Sequence, residues 1–157
     1  MKTFDNKVAV ITGASGGLGR AFADQALALN MRLVLGDVRD DALQATLAEL
    51  RAAGATAVAL AGAVSRPDYV DALGALAKSS FGGANLVFNN AGVGAGGLVW
   101  ENTLKDWEWV INVNLWGVIH GVRTFTPMML ESAKQDPQFE GHIVNVSSVA
   151  GLIAPHL

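Results

Sequence analysis

The stretch Thr12-Gly13-Ala14-Ser15-Gly16-Gly17-Leu18-Gly19 has the residue types needed to hold an anionic group on backbone atoms. Glycines and small side chains let a ligand approach the chain closely, and Gly13 can take angles closed to residues with a Cβ. The stretch follows the apolar run Val8-Ala9-Val10-Ile11 and precedes a segment of helical spacing. Free N–H groups at the start of such a helix meet the charge of a pyrophosphate. Gly19 lets that helix pack closely on a sheet. The spacing Gly-x-x-x-Gly-x-Gly differs from the Gly-x-Gly-x-x-Gly of many dinucleotide turns. On this stretch alone, a Gly-rich turn without a ligand stays open.

Asp37 ends the next apolar run, 18 residues after Gly19. A carboxylate there can accept hydrogen bonds from both hydroxyls of an adenosine ribose and repels a 2′-phosphate. Gly16 adds no positive side chain to the turn. Both features favour NAD over NADP, while Arg39 can reach a 2′-phosphate and tempers that preference. A helix-capping or solvated aspartate is the alternative for Asp37.

Positioning these residues requires strands alternating with helices. Strands are predicted at Val8–Ile11, Arg32–Gly36, Ala57–Ala61, Leu86–Phe88 and His142–Val146. Leu18, Phe22, Ala26, Leu27 and Leu29 mark a helix with one buried face. Further helices are predicted from Asp40, as a cap, to about residue 53, from about 66 to 79, and from about Thr103 to Glu131. A loop of small residues, Val93–Gly97, precedes the last of these. Apolar strands alternating with helices imply a parallel sheet covered on both faces. Right-handed crossovers make this α/β chain a doubly wound Rossmann sheet, strand order 3-2-1-4-5, in a single domain over residues 1–157.

Further landmarks are Asn89-Asn90-Ala91-Gly92, Asn114-Leu115-Trp116-Gly117 and Ile143-Val-Asn-Val-Ser-Ser-Val-Ala-Gly151. Together with the glycine turn, and in this order, they resemble the short-chain dehydrogenase/reductase family over nearly the whole chain. The resemblance implies hydride transfer between a nicotinamide cofactor and a small alcohol or carbonyl substrate. It assigns cofactor binding to Gly13, Ser15, Gly16, Gly17, Leu18, Gly19, Asp37, Asn90, Ala91 and Gly92. Ser148 is the implied catalytic serine, whose hydroxyl bonds the substrate oxygen. Asn114 is implied to hold a relay water on its backbone carbonyl. Asn112 is less favoured because no glycine follows it three residues on. Taken without the resemblance, the serines are turn residues and Asn114 a packing feature.

Two departures stand out. The family's Tyr-x-x-x-Lys pair does not follow Ser148 within these residues, and Tyr69 is the sole tyrosine. Ala63 stands where the family carries an aspartate against the adenine amino group. The expectation is therefore the front portion of an oxidoreductase, truncated before its last strands and helices and inactive alone. A catalytically dead dinucleotide-binding or interaction module is the alternative. His120, His142 and His156 show no metal-ligand spacing, and no metal site is expected.

Bulk properties set outer bounds. A net charge of −3 gives no basic footprint for nucleic acid. No cysteine is present, and no apolar run suits a signal peptide or a membrane span, so a cytoplasmic protein is expected. The long helix carries more large apolar residues than one stripe facing a sheet can use. Homo-oligomerisation through residues 110–131 is the expected consequence.

Overall fold

A computed structural model describes residues 1–153. Five parallel strands, β1 (Val8–Thr12), β2 (Arg32–Asp37), β3 (Ala57–Ala61), β4 (Leu86–Asn89) and β5 (His142–Asn145), form one sheet in the order β3-β2-β1-β4-β5. This is the doubly wound order expected from the sequence. Register aligns Thr12 with Gly36 and Asp37 with Ala61, so the carboxyl ends of β1, β2 and β3 open onto one edge. Asn89 and Asn145 pair at the same edge.

Alternation along the strands divides the core. Ala9, Ile11, Leu33 and Leu35 pack on one side with α1 (Gly17–Ala28) and α2 (Asp40–Ala52). Val8, Val10, Val34 and Val87 pack on the other with α3 (Pro67–Phe81) and α5 (Gly117–Gln135). Continuous apolar strands follow from this double covering: every residue of β1 is buried. Phe22 of α1 stacks on Phe88 of β4, with ring centroids 4.5 Å apart.

Two local expectations are corrected. Asp40 does not cap α2; Arg39 is the N-cap residue, and Asp40 lies in the first turn, where its charge favours the helix dipole. The helix expected over residues 103–131 is interrupted and runs further, to Gln135. It begins with α4 (Leu104–Ile111), capped by Thr103 and Asp106 in reciprocal hydrogen bonds. A π-helical turn over Asn112–Trp116 follows, in which the Gly117 N–H bonds the Asn112 carbonyl. Hydrophobic spacing does not reveal such a turn, because one wide turn shifts the apolar stripe without ending it.

Candidate functional site

Backbone geometry of the glycine turn requires its glycines at two kinds of position. Gly13 and Gly17 have φ of +67° and +52°, in the left-handed region. Gly19 is a matter of space: a Cβ there would collide with the Gly13 carbonyl oxygen. Gly16 precedes α1 as an extended N-cap, and no side chain makes a capping hydrogen bond to the helix N-terminus.

Thr12 and Asn90 lace the turn to β4. The Thr12 hydroxyl donates to the Phe88 carbonyl (3.2 Å) and accepts the N–H groups of Asn90 (3.0 Å) and Ala91 (3.1 Å). Asn90 Nδ2 donates to the carbonyls of Thr12 (2.8 Å) and Gly13 (3.3 Å). Asn89 donates instead to Asn145 Oδ1 on β5, at 2.8 Å. Gly121 of α5 makes this possible, since a Cβ there would meet the Asn89 amide.

Asp37 is buried and accepts the N–H of Ser15 (3.1 Å) on one carboxylate oxygen and that of Arg39 (3.0 Å) on the other. Burial would raise its pKa. The hydrogen bonds from Ser15 and Arg39, with the Arg39 charge, outweigh burial and hold the carboxyl below its ordinary range. The Arg39 guanidinium turns back over the glycine turn and donates to Ser15 Oγ at 3.0 Å.

A cleft of about 630 Å³ runs along this edge, lined by Gly13, Gly16–Leu18, Asp37–Arg39, Gly62–Ser65, Asn90–Val93, Trp109 and Val113. A second, of about 540 Å³, is lined by Ala91–Gly94, Asn114, Val146, Ser147, Ser148 and Gly151. Ala91, Gly92 and Val93 border both. The two clefts therefore share a rim that brings together Gly13, Gly16, Gly17, Leu18, Asp37, Asn90, Ala91 and Gly92 with Asn114 and Ser148. Ser15 and Gly19 line neither cleft.

Ser148 is exposed in the second cleft, and its Oγ accepts the Ala150 N–H (3.1 Å), leaving its proton free for donation. Asn114 lies within the π-helical turn. Its side chain accepts the Val93 N–H and donates to the Val93 carbonyl, both at 2.8 Å. Gly117 packs against Val64, where a Cβ would meet the valine side chain.

Tyr69 lines neither cleft. Its hydroxyl donates to the Leu60 carbonyl at 2.9 Å, and its ring occupies space that Gly36 and Gly62 leave open. Burial, with a smaller contribution from the Asp37 charge, pushes its pKa up. Buried His120 has Nδ1 3.0 Å from the Val64 carbonyl oxygen, and His142 Nε2 is 2.8 Å from the amino terminus. His156 lies outside the described residues, among which no histidine, cysteine and carboxylate group could hold a metal ion. No helix among them is long and apolar enough to cross a membrane.

Sequence reading missed Trp109 and Val113 as cleft residues, because a helix position facing a cleft has the same spacing as one facing the core. It missed Val38 and Val64 because they stand in the connections after β2 and β3, where no period marks which side chains face the cleft. The structural work of Thr12 was also missed, although it stands in the quoted turn.

The model of the family described as short chain dehydrogenase matches residues 7–156. The chain is 39% identical over 154 residues to a putative oxidoreductase SadH of Mycobacterium tuberculosis, covering 98% of this chain and 54% of that protein. It is 35% identical over 151 residues to a cyclohexanol dehydrogenase of an Acinetobacter species, covering 96% and 58%. A short chain dehydrogenase/reductase from Burkholderia phymatum, solved in complex with NAD, superposes with a TM-score of 0.93 at 52% identity. That match covers 99% of this chain and 53% of the other. The chain thus spans about half the length of the relatives it matches.

Proposed function

The chain belongs to the short chain dehydrogenase family, and on that premise we propose that residues 1–157 form one dinucleotide-binding unit of a nicotinamide-dependent oxidoreductase. The observation that carries this reading is the shared rim of the two clefts. Backbone suited to a diphosphate stands at one end and a serine hydroxyl at the other.

The residues fit the cofactor. The turn at Gly13, Ser15, Gly16, Gly17 and Leu18 offers backbone and an uncapped helix start to the diphosphate, while Gly19 keeps α1 close. Asp37 offers its remaining lone pairs to a ribose diol. Asn90 lines the first cleft, and Ala91 and Gly92 line both, between the two ends. When bound, the nicotinamide accepts or supplies the hydride.

The chain's own residues orient and stabilise. Ser148 donates its proton to the substrate oxygen and stabilises charge developing there, with Oγ held by the Ala150 N–H. The π-helical turn breaks the regular carbonyl ladder at Asn114, which favours a carbonyl available to a water. The substrate class is a small alcohol or carbonyl compound. A second reading, a dinucleotide-binding module without catalysis, is favoured by the sequestered position of Tyr69. A downstream coding sequence carrying Tyr-x-x-x-Lys in frame decides for the enzyme.

NAD is preferred over NADP, because a 2′-phosphate would stand against the Asp37 carboxylate. Calorimetric titration is expected to show tighter binding of NAD, and Asp37→Ala to narrow or reverse the ratio. One charge-assisted hydrogen bond corresponds to a change of about 10- to 100-fold. Equal affinities in the parent chain would refute the preference.

Association through the long helix is the remaining part of the proposal. Leu104, Ile111, Leu115, Ile119 and Val122 are all exposed large apolar residues on this helical segment. Helical spacing sets Leu104, Ile111 and Leu115 on the side away from Trp109 and Val113. Such a patch marks an interface. Light scattering is expected to show a dimer or larger species, and the double variant Ile111→Glu/Leu115→Glu a smaller one. A monodisperse parent monomer at micromolar concentration would contradict this.

A further inference from the structure

Resting on the dinucleotide reading above, we propose that Trp109 is a binding residue that packs on the base next to the Asp37-held ribose. Its indole would complete an apolar slot that grips the base by its faces. Trp109 lines the cleft beside Val113 yet leaves 49% of its surface exposed, a large apolar group uncovered inside a concavity. The two residues are four apart and share one side of the helical segment.

The cleft's polar side chains are largely committed elsewhere. The Asn90 amide is spent on the Thr12 and Gly13 carbonyls. Asp37, Arg39 and Ser15 are bonded to one another at the glycine-turn end. Next to Asp37 the lining continues as Val38 and then, after β3, as Ala63 and Val64, with Ser65 the one hydroxyl in that part. A ribose held at Asp37 directs its base into this apolar part. The group that suits such a slot is a flat heteroaromatic ring, whose faces gain from contact with indole and valine. At about 630 Å³ the cleft is of small-ligand size.

ADP-ribose is the appropriate probe, because it carries the base and ribose without a nicotinamide ring to quench indole emission by itself. Calorimetry should show Trp109→Ala weakening ADP-ribose by about tenfold, with Trp109→Phe recovering most of the loss. Trp107, exposed on the same short helix, supplies the control: Trp107→Phe should leave affinity unchanged. Tryptophan emission should fall on binding in the parent and in Trp107→Phe but not in Trp109→Phe. Far-ultraviolet circular dichroism checks that each variant is folded. Unchanged affinity in folded Trp109→Ala, or quenching that persists in Trp109→Phe, overturns the proposal and leaves the dinucleotide site standing. A parent chain that binds neither ADP-ribose nor NAD overturns both.

Discussion

Replacing Gly19 by alanine is expected to cost about 3 kcal/mol of folding stability, at the upper end of overpacking effects, and to abolish dinucleotide binding. The added Cβ would overlap the Gly13 carbonyl oxygen and stand 2.8 Å from its carbonyl carbon and 2.7 Å from Asn90 Nδ2. Gly13 cannot withdraw easily, because a Cβ position on it is already 3.0 Å from the Ala91 Cα and its φ is +67°. Moving Asn90 instead breaks its bonds to Thr12 and Gly13. Gly17→Ala is the matched control. Nothing stands within 4 Å of its Cβ position, and only its positive φ opposes substitution, at about 1–2 kcal/mol. Urea unfolding of both variants, with NAD titration of each, makes the comparison. Equal unfolding midpoints would show that Gly19 is not held by this contact.

A polypeptide of these 157 residues is expected to bind NAD without turning over alcohols above the buffer rate. Hydride transfer needs a partner for the hydroxyl proton, and general acid–base catalysis is worth about 10²–10⁴-fold. Tyr69 cannot be that partner. Its hydroxyl is engaged with the Leu60 carbonyl, it is buried, and its pKa is raised. His120 is equally sequestered, against the Val64 carbonyl. Ser148 is exposed but is an ordinary hydroxyl with no base bonded to it among the described residues. The measurement is reduced-nicotinamide absorbance with a panel of simple alcohols, using protein freed of host dehydrogenases. Turnover at ordinary enzyme rates would overturn the expectation. Tyr69→Phe, which keeps the ring packing, should leave any residual rate unchanged.

Strand identity and order were legible because the runs at Val8, Arg32, Ala57, Leu86 and His142 are short, apolar and separated by helical segments. The glycine turn was legible because positive φ and close approach require glycine itself, so geometry is written into residue type. What stayed hidden depends on long-range contacts. Asp37 looked like a free carboxylate, whereas the fold brings the Ser15 N–H to it across 22 positions. Asn114 was read for its backbone, and its side chain proves to hold Val93. Trp109 carried no signal apart from its helix spacing. The wide turn at Asn112–Trp116 also left no compositional mark.

The paired bonds between the Asn114 side chain and the Val93 peptide have a consequence for amide exchange. They pin the connection between β4 and α4 at one residue, directly where the two clefts meet. Beyond it, Gly94, Gly96 and Gly97 have nothing near their Cβ positions. The Val93 proton should therefore exchange with deuterium slowly, in step with opening of the π-helical turn. The amides of the glycines just after it should exchange at rates near those of free peptide. The connection then behaves as a tether with one fixed knot, on which lengthening or shortening is absorbed past Val93 without disturbing the glycine turn.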